Sequence, residues 1–222
     1  MTMRAGRQFL RFCAAGLAAL MAFSPAILPE RAAAQTAAAT DFTSLAQLLR
    51  AGGLNILVRH GATNSNQADT DPFHLADISK QRNLSDKGKE LARAFGAATR
   101  SVGIPVGEVY TSEFNRAYET AVLAGFTHIE KTVDLSEGGL VVTPDENNRR
   151  ARALLEMLGR APEKRKNNIL ITHKPNIVDA LGKDWFDVSE GEASIFKPEG
   201  GKYRLIARVR MADWPQVAAA VK

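Results

Sequence analysis

Polar side chains with reactive nitrogen and oxygen atoms follow three apolar runs of the sequence. Arg59 and His60 directly follow the first run, Ser112 and then Arg116 follow the second, and His173 follows the third. Because ligands of open α/β sheets bind beyond the carboxyl ends of strands, we expect these side chains to meet at one sheet edge. Buried cations are costly unless they are paired, so such a cluster indicates an anion between them. Guanidinium groups bind oxyanions through two parallel hydrogen bonds, which favours a phosphoryl group.

Each of these residues taken alone has a simpler explanation. Arg59 beside His60 fits a surface pair, Arg116 fits a solvated helix residue, and His173 fits a buried histidine with an ordinary hydrogen-bond partner. The interpretation therefore depends on their conjunction at three predicted strand ends.

The elements that must position these residues alternate between strand-like and helix-like stretches. We predict strands at residues 55–58, 108–111, 129–133, 168–172, 193–197 and 203–210. We predict helices at residues 42–51, 84–100, 113–123, 147–158, 175–181 and 214–221. This alternation indicates an α/β fold, a three-layer sandwich with a mainly parallel central sheet and helices on both faces. The polar stretch 62–83 is predicted to be a long loop, of the kind that is usually functional or mobile.

The first 34 residues are typical of a secretory signal peptide. Three arginines precede an apolar run, and the run is followed by the small-residue sequence Arg31-Ala32-Ala33-Ala34. We therefore expect a periplasmic or secreted protein whose mature domain spans residues 35–222. A retained membrane anchor is the alternative, but the run is short for a span and Pro25 interrupts it. We expect no stable membrane association after signal cleavage.

Composition excludes several classes of protein. Of the 222 residues, 45% are hydrophobic and 24% are charged, which is typical of a globular domain. The net charge is +5, and it falls to +2 once the four arginines and one glutamate of the predicted leader are removed. Without a clustered basic stripe, this balance predicts no nucleic-acid partner. The single cysteine, Cys13, lies in the predicted leader, so a disulfide framework and a cysteine nucleophile are excluded from the mature domain.

Four segments carry a family resemblance. Val58–Thr63 with Asn66 contains an arginine-histidine-glycine motif, Leu84–Gly88 begins a helix, residues 111–121 carry Arg116, and Thr172 precedes His173. In this order the segments resemble the motifs of the histidine phosphatase superfamily, which includes the cofactor-dependent phosphoglycerate mutases.

The resemblance implies a two-step reaction without metal or cofactor. His60 is expected to attack phosphorus and become a phosphohistidine, which water then hydrolyses. Arg59, Arg116 and His173 are expected to hold the phosphoryl oxygens and to offset their developing charge.

The resemblance also assigns substrate contacts to three further residues. Asn66 is expected to contact phosphate or substrate, and Ser112 lies in the second arginine motif. Gly61 lacks a Cβ atom, which is expected to let substrate approach the backbone.

Four residues of the long loop suggest a divalent metal site. They do not have the spacing of a calcium-binding loop, so we predict no metal site. They are Asp69, Asp71, His74 and Asp77.

The proton donor is the least determined part of the predicted site. Related multi-phosphate hydrolases carry an aspartate after the second histidine, whereas this chain has Lys174. Glu137 is the preferred match to the acid of the mutases. Glu192, close to a predicted strand, is the second candidate, and another group such as Asp179 remains open.

We therefore predict a secreted phosphomonoester hydrolase that acts on a phosphorylated small molecule or a phosphoprotein. One alternative is a non-catalytic member that binds phosphorylated ligands, since a phosphate clamp can exist without turnover. The other is a mutase-type phosphotransferase, although the chain has little length for the substrate-retaining segments that a mutase needs.

Overall fold

A computed structural model describes residues 41–138 and 141–220. The predicted leader, residues 1–34, lies outside the described residues, so its interpretation stays a prediction. The described strands are β1 (Asn55–Arg59), β2 (Val106–Ser112), β3 (Ile129–Thr132), β4 (Asn167–Thr172), β5 (Ala193–Glu199) and β6 (Lys202–Val209). The described helices are α1 (Phe42–Ala51), α2 (Asp86–Val102), α3 (Asn115–Ala124), α4 (Pro144–Gly159), α5 (Lys174–Leu181) and α6 (Trp214–Ala219). None of these helices is long and apolar enough to cross a membrane.

The six strands form one sheet in the order β3-β2-β4-β1-β5-β6. Strands β3, β2, β4 and β1 are parallel, whereas β5 runs antiparallel to β1 and β6 antiparallel to β5. The predicted α/β fold with a mainly parallel sheet is therefore confirmed. The parallel strands bring the ends of β1, β2 and β4 to the same edge.

Both faces of the sheet are buried, because successive side chains of β1 belong to different core clusters. Ile56 and Val58 belong to the core cluster that includes side chains of α1, α2, α3 and α6. Leu57 belongs to the second cluster, which includes side chains of α4 and α5. Successive strand residues point to opposite faces, so β1 contacts both helical layers. The three-layer arrangement follows from this alternation.

Two helix starts illustrate local control by capping residues. Ser85 accepts a hydrogen bond from the backbone N–H of Gly88 at 3.1 Å, which fixes the start of α2. Helix α4 begins three residues before the predicted position because Thr143 caps it and Pro144 occupies its first turn. Short 3₁₀ turns at Ile78–Lys80, Val133–Leu135, Lys183–Trp185 and Met211–Asp213 complete the connections.

Candidate active site

His60 is the first residue after β1, at the centre of the sheet. Its backbone N–H donates to the carbonyl of Thr172 at 3.0 Å, and its carbonyl accepts from Gly191 at 2.8 Å. The side chain is 1% exposed, and its Nδ1 lies 2.9 Å from the carbonyl oxygen of Gly61. Since a carbonyl oxygen only accepts hydrogen bonds, Nδ1 carries the proton and Nε2 keeps its lone pair. A neutral His60 therefore has a nucleophilic nitrogen.

Gly61 is closely surrounded by protein. Its N–H donates to Thr120 Oγ1 at 3.0 Å, and that hydroxyl donates to the carbonyl of Arg116 at 2.7 Å. A Cβ atom at Gly61 would lie 3.3 Å from the carbonyl oxygen of Gly88 and 3.4 Å from Leu84. The structure therefore gives Gly61 a packing reason, the close approach of α2, beside the substrate contact that remains a prediction.

His173 directly follows β4 and is fully buried beside the predicted nucleophile. Its ring centroid lies 5.1 Å from that of His60. Its Nε2 lies 2.7 Å from Ser112 Oγ, which donates in turn to Ser136 Oγ at 3.1 Å. Ser136 Oγ donates to the carbonyl of Thr132 at 3.2 Å, so the hydroxyl protons point away from His173. In this arrangement Nε2 carries the proton of the neutral ring and Nδ1 has the lone pair.

Arg116 extends from the first turn of α3 and is fully buried. Its Nη1 donates to Asp69 Oδ1 at 3.0 Å, and its Nη2 donates to Glu137 Oε1. The same Glu137 oxygen lies 3.6 Å from Nδ1 of His173. The guanidinium carbon also lies 4.4 Å from the ring centroid of Phe114. Glu137 thus joins the cluster that contains Arg116 and His173.

Arg59, the last residue of β1, faces the loop that precedes β5. Its Nη1 donates to the carbonyl of Val188 at 2.7 Å, and its Nη2 lies 3.6 Å from Glu190 Oε1. Glu190 also accepts from the hydroxyl of Thr63 at 2.6 Å. The guanidinium is therefore held by two contacts with this loop.

Burial and positive charge keep both histidines neutral. Loss of hydration lowers the pKa of His60 well below its usual value, and the guanidinium of Arg116 lowers it further. The pKa of His173 is lowered by burial first and then by Arg116 and His60. Burial also lowers the pKa of Arg59, and the charge of Glu190 opposes this effect.

The three predicted proton-donor candidates lie in different surroundings. Glu137 contacts Arg116 and lies beside His173. Glu192 is buried, but its carboxylate accepts from Arg208 Nε and from the backbone N–H of Ser189. Asp179 is exposed on α5. The structure brings Glu137 into the histidine cluster, and its role as the donor stays a prediction.

Ser112 and Asn66, the two other predicted substrate contacts, differ in burial. Ser112 is buried, and its hydroxyl bonds His173 and Ser136. Asn66 is exposed in the loop after β1, and its side chain makes no hydrogen bond to the described residues. Their predicted contact with substrate stays a prediction.

The long loop contributes residues that sequence reasoning did not assign to the site. Asp69, considered there only as a metal ligand, bonds Arg116 and accepts from the backbone N–H of Arg82 at 2.9 Å. Arg82 is half-buried, and its charge lowers the pKa of both His60 and His173. The tripeptide Gln81-Arg82-Asn83 carried no spacing signal that linked it to the strand ends.

The other acidic residues of the loop are engaged separately. Asp71 lies 2.9 Å from Nδ1 of His74, and Asp77 caps the short helix Ile78–Lys80. Within residues 41–138 and 141–220, no group of three or more potential metal ligands is found.

Comparison with known proteins agrees with the motif reading. The family model of the histidine phosphatase superfamily (branch 1) matches residues 55–141. This match supports the resemblance to the superfamily that the motifs carry. A search of curated proteins found no match.

Solved structures share the fold of this chain. The protein histidine phosphatase SixA complexed with tungstate is 16% identical, covers 72% of this chain and 98% of its own, and gives a TM-score of 0.50. YhfR of Bacillus stearothermophilus is 18% identical, covers 69% of this chain and 95% of its own, and gives a TM-score of 0.51. A mycobacterial glucosyl-3-phosphoglycerate phosphatase in complex with VO3 is 16% identical, with coverages of 70% and 98% and a TM-score of 0.51.

Proposed function

We propose that this protein is a phosphomonoester hydrolase that acts through a phosphohistidine on His60. The proposed substrate is a phosphorylated small molecule or a phosphoprotein. From the predicted leader we further propose that the protein is exported to the periplasm or secreted.

Unsatisfied nitrogen atoms around His60 are the observation that carries this proposal. Among the described residues, Arg59 Nε, Arg116 Nε and His173 Nδ1 are buried and have no hydrogen-bond partner. Buried polar groups are rarely left without partners unless a ligand or water supplies them. A phosphoryl group offers three acceptor oxygens and the negative charge that the two guanidinium groups favour.

The state of His173 fits an anionic ligand. Neutral His173 has a lone pair on Nδ1, so a bound phosphoryl dianion favours uptake of a proton there. The resulting imidazolium donates Nδ1–H to a phosphoryl oxygen, while Nε2–H keeps its bond to Ser112. The anion would therefore convert His173 from a neutral ring into a third cation.

The chemistry then proceeds in two balanced steps. Nε2 of His60 attacks phosphorus, the bond to the ester oxygen breaks, and Glu137 gives a proton to the leaving oxygen. A water molecule next attacks phosphorus and transfers a proton to Glu137, and the bond to Nε2 breaks to release phosphate. Arg59 and Arg116 stabilise the charge on the phosphoryl oxygens in both steps.

Two similar proteins were solved with oxyanions, SixA with tungstate and the mycobacterial phosphatase with VO3. Both ions resemble a phosphoryl group in charge and shape. They support the proposal that this chain binds a phosphoryl group.

Phosphate release from para-nitrophenyl phosphate in EDTA tests the function. We expect turnover by the purified protein. When the phosphorylated intermediate is trapped under non-acidic conditions, an acid-labile phosphoryl group should be found on His60. His60→Ala should abolish turnover while circular dichroism shows an intact fold, and exposed His128 provides the control variant, His128→Asn. Near-normal turnover by His60→Ala contradicts the mechanism. Phosphate binding without any turnover identifies a non-catalytic binder instead.

A further inference from the structure

Arg150 is a buried cation that the proposed reaction does not use. It lies in α4, and its side chain is 9% exposed. Its Nε donates to Glu146 Oε1 at 2.8 Å, and its Nη1 donates to the carbonyl oxygen of Ser136 at 2.9 Å. Burying a guanidinium carries a desolvation cost. The hydrogen bond between Arg150 and the Ser136 carbonyl therefore suggests a role for this arginine beyond packing.

Ser136 directly precedes Glu137 in the chain. Its carbonyl accepts a second hydrogen bond from Asn176 Nδ2 at 3.1 Å, and the carbonyl of Leu135 accepts from Thr172 Oγ1 at 2.6 Å. Donors from α4, α5 and β4 thus bind two successive carbonyls before Glu137. The backbone that carries the Glu137 carboxylate is therefore held against the strand end that precedes His173.

Glu146 orients Arg150 through a hydrogen bond to its Nε. Hydrogen bonds from Arg149 and Arg150 lower the pKa of Glu146 to about 2, so it is ionised at neutral pH. Arg149 shares this partner, but its Nη1 donates to Asp134 at 2.7 Å and its side chain is 43% exposed. The two neighbouring arginines differ in the one contact of interest, the bond to Ser136.

We propose that Arg150 is a positioning residue that holds Glu137 at the leaving oxygen through the carbonyl of Ser136. This inference rests on the proposed function, in which Glu137 is the proton donor. A guanidinium binds Glu146 and the carbonyl at the same time through separate N–H groups, whereas an ammonium group lacks this fixed fork. Small displacements of a catalytic group reduce turnover steeply.

Leaving-group dependence separates positioning from folding. An alkyl phosphate such as β-glycerol phosphate needs a proton on its leaving oxygen, whereas para-nitrophenyl phosphate does not. In Arg150→Met we expect kcat/KM for the alkyl phosphate to fall by about 10- to 100-fold. The kcat/KM for the aryl phosphate should fall less than about threefold, since the phosphate clamp is retained and kcat/KM does not include the later hydrolysis of the phosphohistidine, a step common to both substrates. Arg150→Lys should recover part of the alkyl activity.

Arg149→Met is the matched control, and we expect it to leave both substrates nearly unaffected. Asn176→Ala removes the other donor to the same carbonyl and should show the same selective loss, which serves as the second test if thermal unfolding shows that Arg150→Met does not fold. Equal losses on both substrates, or no loss on either, overturn the positioning role.

The wild-type protein distinguishes failure of this inference from failure of the proposed function. If the wild type neither hydrolyses the aryl phosphate nor phosphorylates His60, the proposed function fails and the inference fails with it. If the wild type does both and the variants lose both substrates equally, only the role of Arg150 is rejected.

Discussion

Nη2 of the buried Arg116 donates to Oε1 of Glu137, and both side chains lie at the sheet edge that carries the two histidines. The same carboxylate oxygen is 3.6 Å from Nδ1 of His173. Glu137 thus holds an acceptor position between two groups that the proposed mechanism assigns to phosphate. A phosphoryl group that bonds Arg116 must compete with this carboxylate, which places the proposed proton donor directly beside the reacting group.

Arg116 offers a test of the fixed guanidinium geometry. Arg116→Lys keeps the charge but cannot bond Asp69, Glu137 and a phosphoryl oxygen through one planar group. We expect kcat/KM for para-nitrophenyl phosphate to fall by about 10²-fold or more, as for loss of an oxyanion donor. Exposed Arg93 on α2 gives the control, since Arg93→Lys should retain wild-type kinetics. Wild-type activity in Arg116→Lys contradicts the clamp.

Glu137 and Glu192 are distinguished by the leaving group. Glu137→Gln should slow alkyl phosphates by about 10²-fold or more, the usual contribution of general acid catalysis, and aryl phosphates much less. Glu192→Gln should affect both substrates alike or neither, because Glu192 bonds Arg208. The comparison uses kcat/KM on both substrates, because kcat also includes hydrolysis of the phosphohistidine, in which Glu137 takes part for either substrate. A selective alkyl loss in Glu192→Gln alone moves the proton donor to Glu192.

Arg82 is expected to strengthen phosphate binding. Its charge acts on both histidines, and its side chain makes no hydrogen bond to the described residues. Arg82→Gln should weaken inhibition by inorganic phosphate about tenfold, which corresponds to loss of a charge-assisted hydrogen bond. The control is Lys80→Gln, an exposed residue of the same loop. Unchanged inhibition in Arg82→Gln places this arginine outside the phosphate site.

The sequence predicts the fold and the strand-end residues because both depend on local patterns. Apolar runs predict β1 and β4, and the residues after them, His60 and His173, then meet because the strands are parallel neighbours. Asp69 escaped this reasoning because its partner, Arg116, is 47 residues away and is reached only through the path of a loop. Loop paths depend on tertiary contacts such as that of Gln81 with Asn115, which periodicity does not encode.

The sequence pattern did not identify Arg150 for a related reason. In sequence it belongs to a charged stretch with Arg149, and both positions look alike on a helix. Only the structure shows that one guanidinium is buried against Ser136 while the other faces Asp134 and solvent. Side-chain burial on an amphipathic helix is set by what packs against it, so the pattern gave no distinction between the two.

The two buried histidines predict a specific dependence of stability on pH. In the unfolded chain a histidine takes up a proton near pH 6.5, whereas burial and Arg116 keep His60 and His173 neutral in the folded protein well below that pH. The contribution of the two neutral histidines to the free energy of unfolding is therefore complete above pH 6.5, and it is lost as pH falls. Between pH 6 and 5 the free energy of unfolding should decrease by about 1.4 kcal/mol per pH unit for each histidine.

Urea unfolding at pH 7, 6 and 5 measures this slope, and His173→Gln should remove roughly one histidine's share. The window avoids Glu146, whose lowered pKa of about 2 affects stability only at more acidic pH. His128→Asn is the control, because His128 is exposed and its φ of 54° is one that asparagine tolerates. Saturating phosphate should flatten the slope in the wild type, since the bound anion lets folded His173 take up the proton that the unfolded chain takes up. A slope that is the same in His173→Gln, or unaffected by phosphate, contradicts a neutral His173 at the phosphate site.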